Sequence, residues 1–340
     1  RIRGLTQFYG AARTGRWAGR LVQMQNLPQN KMPDRDLDTA RQLVEAGDLE
    51  TLEMLFDDIS GTLSQLIRTA FIPRPGYRFI VSDFSAIEAR VIAWLASEEW
   101  RMEVFKTHGK IYEASAEQMF HLPKGSVKKG DPMRQKGKIA ELALGYGGSV
   151  GALKSMGALE MGLEESELKP LVNSWRAANP AITKLWWDTD AAARRTIQTK
   201  APTKLPFGMG FYKQGPLLKL RLPNGRELSY VKPRIDDDSI TYEGTIQSSG
   251  GWGRIESYGP KLVENIVQAT ARDCLAVAID RLERAGFPVV FHVHDEVICE
   301  VPIGVSSAEE ISKIMSEPIA WATGLPLKAD AYECEYYRKD

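Results

Sequence analysis

The sequence predicts an α+β protein in which one sheet domain is split by a large, mainly helical insertion. Three observations lead there. Short apolar strands stand at residues 79–81 and again within FPVVFHVHDEVICEV at 287–301. Most of the chain between them carries apolar residues at helical spacing. Strands near both ends with helices between them suit one sheet assembled from distant parts of the chain.

Taken in order, residues 1–33 are rich in Gly and Arg, and GAARTGRWAGRLVQMQNLP has little periodicity, so an irregular surface segment is expected. Over 36–70, Leu43, Leu49, Leu52, Leu55, Phe56, Ile59, Leu63, Leu66 and Ile67 predict one or two helices. PRPGYRFIVSDFS then supplies turn residues, a short strand and a strand end at Asp83. Ile87, Val91 and Leu95 stand four apart, which gives a helix over 85–96 one buried face. Residues 100–200 are mostly helical by period, broken at HLPKGSVKKGDP, GYGG and Asn179-Pro180. Between 201 and 255 Pro and Gly rise, and LKLRLPNGRELSYV alternates around Asn224-Gly225, a hairpin signature. KLVENIVQATARDCLAVAIDRL reads as a long helix leading into the 287–301 hairpin.

At 340 residues the chain has room for two domains or one with a large insertion. Three cysteines, Cys274, Cys299 and Cys334, lie far apart without a CxxC, which argues against a disulfide framework or a cysteine-rich zinc site. There is no apolar run long enough to span a membrane and no signal peptide, so no membrane partner and a cytoplasmic location are expected. Formal net charge is zero, yet cations cluster. Arg1, Arg3, Arg13, Arg16, Arg20 and Lys31 precede the first acidic residue and mingle with Gln, Asn, Tyr9 and Trp17. Lys124, Lys128, Lys129, Arg134, Lys136 and Lys138 form a second run. Such stretches suit a phosphate backbone, as they also suit a solvated basic face.

Three local features carry chemistry. Asp83 ends a strand just before a helix, where SAIE also fits a capping box with Glu88 reaching back. In RQKGKIAELALGYGG, Arg134, Lys138, Leu142 and Tyr146 stand four apart and form a slowly winding stripe roughly 18 Å long. Cations at one end and an aromatic at the other could hold a polyphosphate and a base; a surface stripe running into a core Tyr has the same pattern. Finally, His294-Asp295 occupies a hairpin turn without Gly, and adjacent carboxylates Asp295 and Glu296 repel unless a cation joins them. A hard divalent ion such as Mg²⁺ fits; His292 and His294 could instead begin a zinc site.

Together these stretches resemble family A DNA polymerases, the bacterial DNA polymerase I group, with wording closest to members of phage and prophage type. VSDFSAIEAR is similar to the first palm motif, RQKGKIAELALGYGG to the fingers helix, HVHDE to the last palm motif, and TGRWAGRLVQMQNLP to the primer-template segment before the first palm motif. The four stand in family order.

The resemblance implies a right-hand polymerase fold, with an antiparallel palm sheet from 1–100 and 258–340, residues 1–33 forming the primer-template segment, and a mainly helical fingers insertion at 101–257. It implies template-directed addition of dNMP from dNTP to a primer 3′-hydroxyl. Two Mg²⁺ ions would be held by Asp83 and Asp295, with the Phe84 carbonyl and Glu296 beside them. Lys138 would protonate the leaving pyrophosphate, and Arg134 would share the triphosphate. Tyr146 would stack near the templating position, and Glu88 would block a ribose 2′-hydroxyl. Tyr112 stands where a triphosphate-contacting His is common, and Leu142 where Phe or Tyr is usual. Ala86 replaces a usual Gln, and Phe84 a usual Tyr. Arg16, Gln23, Gln25, Gln268 and His294 would meet primer-template DNA. A thumb and exonuclease are expected upstream, outside this chain. A single-subunit RNA polymerase would share the aspartates and the stripe, but Glu88 and Glu296 argue against it. A non-catalytic nucleic-acid-binding module remains the reading from another class. A metal-dependent nuclease would leave the stripe without a role.

Overall fold

The computed structural model describes residues 4–28, 30–246 and 249–338. Arg1 and Arg3 of the N-terminal basic run lie outside the described residues. From residue 4 onward the first segment is mostly irregular. Two short strands, β1 (Thr6–Gln7) and β2 (Ala18–Gly19), pair antiparallel.

Helices α1 (Asp34–Ala46), α2 (Leu49–Leu55) and α3 (Ile59–Leu66) follow. Three helices form where the periodicity suggested one or two, because the breaks are chemical. Gly47 adopts φ +72° to end α1, and the Asp48 and Asp58 side chains accept the Thr51 and Gly61 amides at the next two helix starts.

Strand β3 (Tyr77–Phe84) crosses the centre of the molecule. Ile80, Val81 and Ser82 have no exposed surface, since β3 is paired on both edges and covered on both faces. It leads into α4 (Ile87–Ala96), followed by α5 (Glu99–Thr107), α6 (Ile111–Met119), α7 (Pro132–Leu144), α8 (Val150–Ser155), α9 (Glu165–Ala178) and α10 (Pro180–Thr199). The start of α10 is held by a carboxylate from another element: Glu98 Oε2 accepts the Ala181 and Ile182 amides at 2.8 and 3.2 Å. Burial pushes the Glu98 carboxyl up, while those amides and Arg101 pull it back. Glu98→Ala should cost about 1–3 kcal/mol in denaturant unfolding, because two helix-end amides lose their acceptor. Glu98→Gln should retain most of that stability.

After α10 the insertion turns to strands, where the sequence shows rising Pro and Gly and a hairpin signature at Asn224-Gly225. Strands β4 (Thr203–Lys204), β5 (Gly210–Gln214), β6 (Leu217–Arg221), β7 (Glu227–Asp236), β8 (Ser239–Thr245) and β9 (Trp252–Ser257) form an antiparallel six-stranded sheet in chain order. Each neighbour pairs with the next, so the alternation seen around Asn224-Gly225 extends over the whole stretch. Phe211, Leu218, Leu220, Leu228, Tyr230 and Ile240 point to one face and join Leu185 and Trp186 of α10 in the main core.

The long helix α11 (Gly259–Arg284) then runs back under β3 and leads to β10 (Val289–Val293), β11 (Glu296–Pro302), α12 (Ala308–Ser316) and β12 (Ala329–Cys334). The second sheet has the order β10-β11-β3-β12, all antiparallel. Its Ile80 and Phe84 face packs on α4 and α11, and its Phe79 and Val81 face packs on Met24, Val293, Ile298 and Tyr337. Both ends of the chain therefore build one sheet, as the sequence predicts. No helix among the described residues is long and apolar enough to cross a membrane.

Candidate active site

The turn between β10 and β11 consists of His294 and Asp295 alone, since Val293 pairs with Glu296. His294 takes φ +55°, a left-handed conformation that costs a residue other than Gly on the order of 1 kcal/mol and persists where the surroundings impose it. The Phe84 amide donates to the Asp295 carbonyl at 3.3 Å, tying the turn to the end of β3. Glu296 lies directly opposite Asp83 in the ladder, and Asp330 of β12 lies opposite Asp83 on the other side. Asp83 and Asp295 thus meet at one end of the sheet, although nothing in their local sequences links them. Burial pushes the Asp295 carboxyl up, and the charge of Arg16 opposes that push.

Glu296 itself is 2% exposed and accepts the Tyr337 hydroxyl at 2.7 Å; Arg68 donates to the same hydroxyl at 3.0 Å. Burial and then the Glu296 charge push the Tyr337 phenol up. Arg68 and Tyr337 had no local signal in the sequence. Tyr337, itself held by Arg68, gives Glu296 a protein partner that the metal role implied by the resemblance did not include.

At the other end of the β3 turn, Ala86 sits at φ +50° and no side chain caps α4, so the capping box that SAIE permits does not form. The turn is held instead by Arg90, 2% exposed, whose Nε and Nη1 donate to the Ser85 and Pro326 carbonyls at 2.7 and 2.8 Å. Glu88 is thereby free to face the site. Its Oε1 accepts from Arg16 Nη2 at 2.6 Å and its Oε2 from the Tyr146 hydroxyl at 2.7 Å. Three residues singled out separately, Arg16, Glu88 and Tyr146, form one hydrogen-bonded group. Burial, followed by the Glu88 charge, pushes the Tyr146 phenol well above its usual range.

The stripe lies along α7 and just beyond it. Gly137 allows α7 to press against α6: a Cβ there would stand 2.2 Å from the Tyr112 carbonyl oxygen. That contact brings Tyr112 beside Arg134, whose guanidinium lies 5.5 Å from the Tyr112 ring centre and donates to Glu113 at 2.8 Å. Burial raises the Glu113 carboxyl, but the Arg134 hydrogen bond and charge outweigh it and leave it below the ordinary range. Lys138 forms no ion pair among the described residues. Leu142 is half exposed. Gly147, at φ +77°, lets the chain after Tyr146 pass against Pro260 at the start of α11, where a Cβ would come within 2.7 Å.

The remaining residues line two recesses on the same side. Gln25, Arg16, His294 and Asp295 border one cavity, and Gln268, Arg16 and Arg13 border an adjacent cleft, where Gln268 donates weakly to Glu264 at 3.4 Å. Gln23 is turned toward Asn26, from which its side chain accepts. Among the described residues no group of three or more His, Cys, Asp or Glu side chains is arranged to hold a metal ion. Asp83, Asp295 and the Phe84 carbonyl carry hard oxygens, and the ladder and the Phe84–Asp295 backbone bond bring their backbones to the same sheet end. Such oxygens suit Mg²⁺, which takes few protein ligands and completes its shell with water and substrate phosphates.

A family model described as DNA polymerase family A matches residues 5–205. The DNA polymerase of Bacillus phage SP02 is 58% identical along all of this chain, which covers 53% of that protein. The thermostable DNA polymerase I of Thermus aquaticus is 25% identical over 79% of the chain and 28% of its own length. The chain thus spans about half, or less, of the curated relatives it matches. In three dimensions it resembles the POL domain of Pol1 from M. smegmatis, solved with DNA primer-template and dNTP, with a TM-score of 0.63 at 19% identity, covering 97% of this chain and 47% of that one. The chain shares the fold of that domain, and the family model over residues 5–205, more than half of the sequence, establishes that the chain belongs to DNA polymerase family A.

Proposed function

We propose that this chain is the palm and fingers portion of a template-directed DNA polymerase acting in the cytoplasm, with residues 1–100 and 258–340 as palm and 101–257 as fingers. It adds dNMP from dNTP to a primer 3′-hydroxyl and releases pyrophosphate. The observation that carries this reading is the convergence of Asp83 and Asp295 at one sheet end beside the Arg16–Glu88–Tyr146 group.

Asp83, Asp295 and the Phe84 carbonyl would hold two Mg²⁺ ions, which when bound activate the primer hydroxyl and neutralise the triphosphate. Glu296 adds negative charge beside them while it accepts from Tyr337. Lys138 binds the triphosphate and is positioned by α7 to give its proton to the leaving pyrophosphate. Arg134 joins it by exchanging Glu113 for phosphate, with the Tyr112 ring alongside. Tyr146 presents its ring to the templating position while its hydroxyl fixes Glu88, and Glu88 occupies the space a 2′-hydroxyl would need. Leu142 lines the sugar side of the same pocket without a hydroxyl of its own. Arg16 and Gln268 read minor-groove acceptors common to all base pairs, Gln23 and Gln25 support the template strand, and His294 lies against the primer end.

The test is extension of a labelled primer on a DNA template by the longest polypeptide the gene encodes. Extension with dNTPs, with pyrophosphate released, supports the reading; template binding without incorporation would favour a binding module, and equal use of rNTPs a single-subunit RNA polymerase. Glu88→Ala should relax discrimination against rNTPs by about 5- to 150-fold, the equivalent of removing a steric clash of about 1–3 kcal/mol. Unchanged discrimination would remove Glu88 from that role.

A further inference from the structure

Beside Asp295 lies a cavity of about 190 Å³, bordered by Arg16, Trp17, Gln25, Arg272, His292 and His294. Arg272 is its unexplained member. It projects from α11, is 8% exposed, and its guanidinium carbon lies 4.2 Å from the Trp17 ring centre and 4.9 Å from that of Phe8, two rings set edge to face. Its Nη1 donates to Asp273 at 3.1 Å, but its buried Nε and Nη2 have no hydrogen-bond partner among the described residues. A guanidinium carries five N–H donors in a fixed fork, and leaving them unused in a buried place is costly. Nor does Asp273 cancel the charge. The same carboxylate also pairs with Arg226 at 2.9 Å and accepts from Asn224 at 2.7 Å, so two guanidiniums share one anion.

The cavity wall thus carries the guanidiniums of Arg16 and Arg272 and the carboxylate of Asp295 among mainly apolar surface, and of these Arg16 is paired with Glu88. His292, whose ring centre is 4.6 Å from that of Trp17, is neutral there: burial and the Arg272 charge press its pKa down to about 4. Arg272 also stands one helical turn beyond Gln268 on the same face of α11. We infer that this pocket seats one phosphodiester group of the primer strand, close to its 3′ end, on the free edge of Arg272. The inference rests on the reading of the site as a primer-extending one. It makes Arg272 a positioning residue: by fixing the primer backbone beside His294 and Asp295, it sets where the terminal hydroxyl lies.

The test uses primer-templates carrying a single uncharged methylphosphonate linkage, moved one step at a time along the last nucleotides of the primer. Affinity is measured by fluorescence anisotropy with the longest polypeptide the gene encodes. For the wild type, neutralising one particular linkage should weaken binding about tenfold, as expected for a charge-assisted hydrogen-bond pair. Arg272→Gln should bind the unmodified primer about as weakly and lose that dependence, while Arg272→Lys should retain part of it. If Arg272 served only to pack Trp17 and Phe8, the variant would weaken every substrate equally and the linkage dependence would persist, which overturns the inference. Wild-type binding without dependence on any linkage also overturns it and leaves the proposed function standing. No binding of any primer-template would sink both.

Discussion

Asp295→Asn should lower single-nucleotide incorporation roughly a thousandfold or more, about 4 kcal/mol of transition-state stabilisation, with primer-template affinity and folding stability near those of the wild type. Asparagine fills the same space at the His294-Asp295 turn and leaves the Phe84 amide its backbone acceptor. What it removes is the charge. Burial already pushes the Asp295 carboxyl up, so the side chain is kept as a carboxylate at a cost to stability, and an amide should hold or slightly raise the unfolding free energy. Asp83→Asn should behave in the same way. Equal incorporation by either variant would show the carboxylates to be misassigned, and loss of folding together with activity would point to a structural role.

Arg101→Met should cost about 3–5 kcal/mol in denaturant unfolding, the largest effect on stability expected from a single substitution in the insertion. Arg101 is 1% exposed, donates from Nε to Asn179 at 2.5 Å, and forms an ion pair with Glu141, a residue of α7. Glu141 also accepts from Ser115 at 2.7 Å and from Trp175 Nε1 at 2.9 Å. Removing the cation strands a buried carboxylate at the point where α5, α6, α7 and α9 meet. The double variant Arg101→Met, Glu141→Met should recover at least half of the loss, because it removes the orphaned charge. Because Glu141 lies on α7 one turn beyond Lys138, the single variant should also weaken dNTP binding. A single variant as stable as the wild type would mean that the pair contributes nothing to the packing of α7.

What could be seen in the sequence was whatever leaves a local or periodic trace. β3, the long helix α11, the hairpin at 287–301 and the stripe on α7 follow from spacing, and the motif order implied the fold that the structural similarity now bears out. The division of α1, α2 and α3 was written in Gly47, Asp48 and Asp58, which act as stops and caps within an otherwise continuous apolar pattern. The six-stranded sheet was visible only at its Asn224-Gly225 turn. Within β7 a register shift between Val231 and Arg234 breaks the simple alternation that a sequence pattern would show.

The candidate site divides on the same line. Glu88 had a plausible local partner in its own helix start, and the structure gives it Arg16 and Tyr146 instead; pairs so distant leave no periodicity to read. The Arg68–Tyr337–Glu296 chain was hidden for the same reason. Arg272 did leave a trace, an Arg-Asp pair inside the otherwise apolar IVQATARDCLAVAI, but only burial shows that its donors are unused.

The central claim is that this site joins nucleotides under the direction of a template. The direct measurement is incorporation of each single dNTP on four primer-templates that differ only in the base opposite the insertion position. Incorporation of the complementary dNTP alone on each template, abolished by Asp295→Asn, is the predicted result. Incorporation that ignores the template base, or that survives Asp295→Asn, would contradict it.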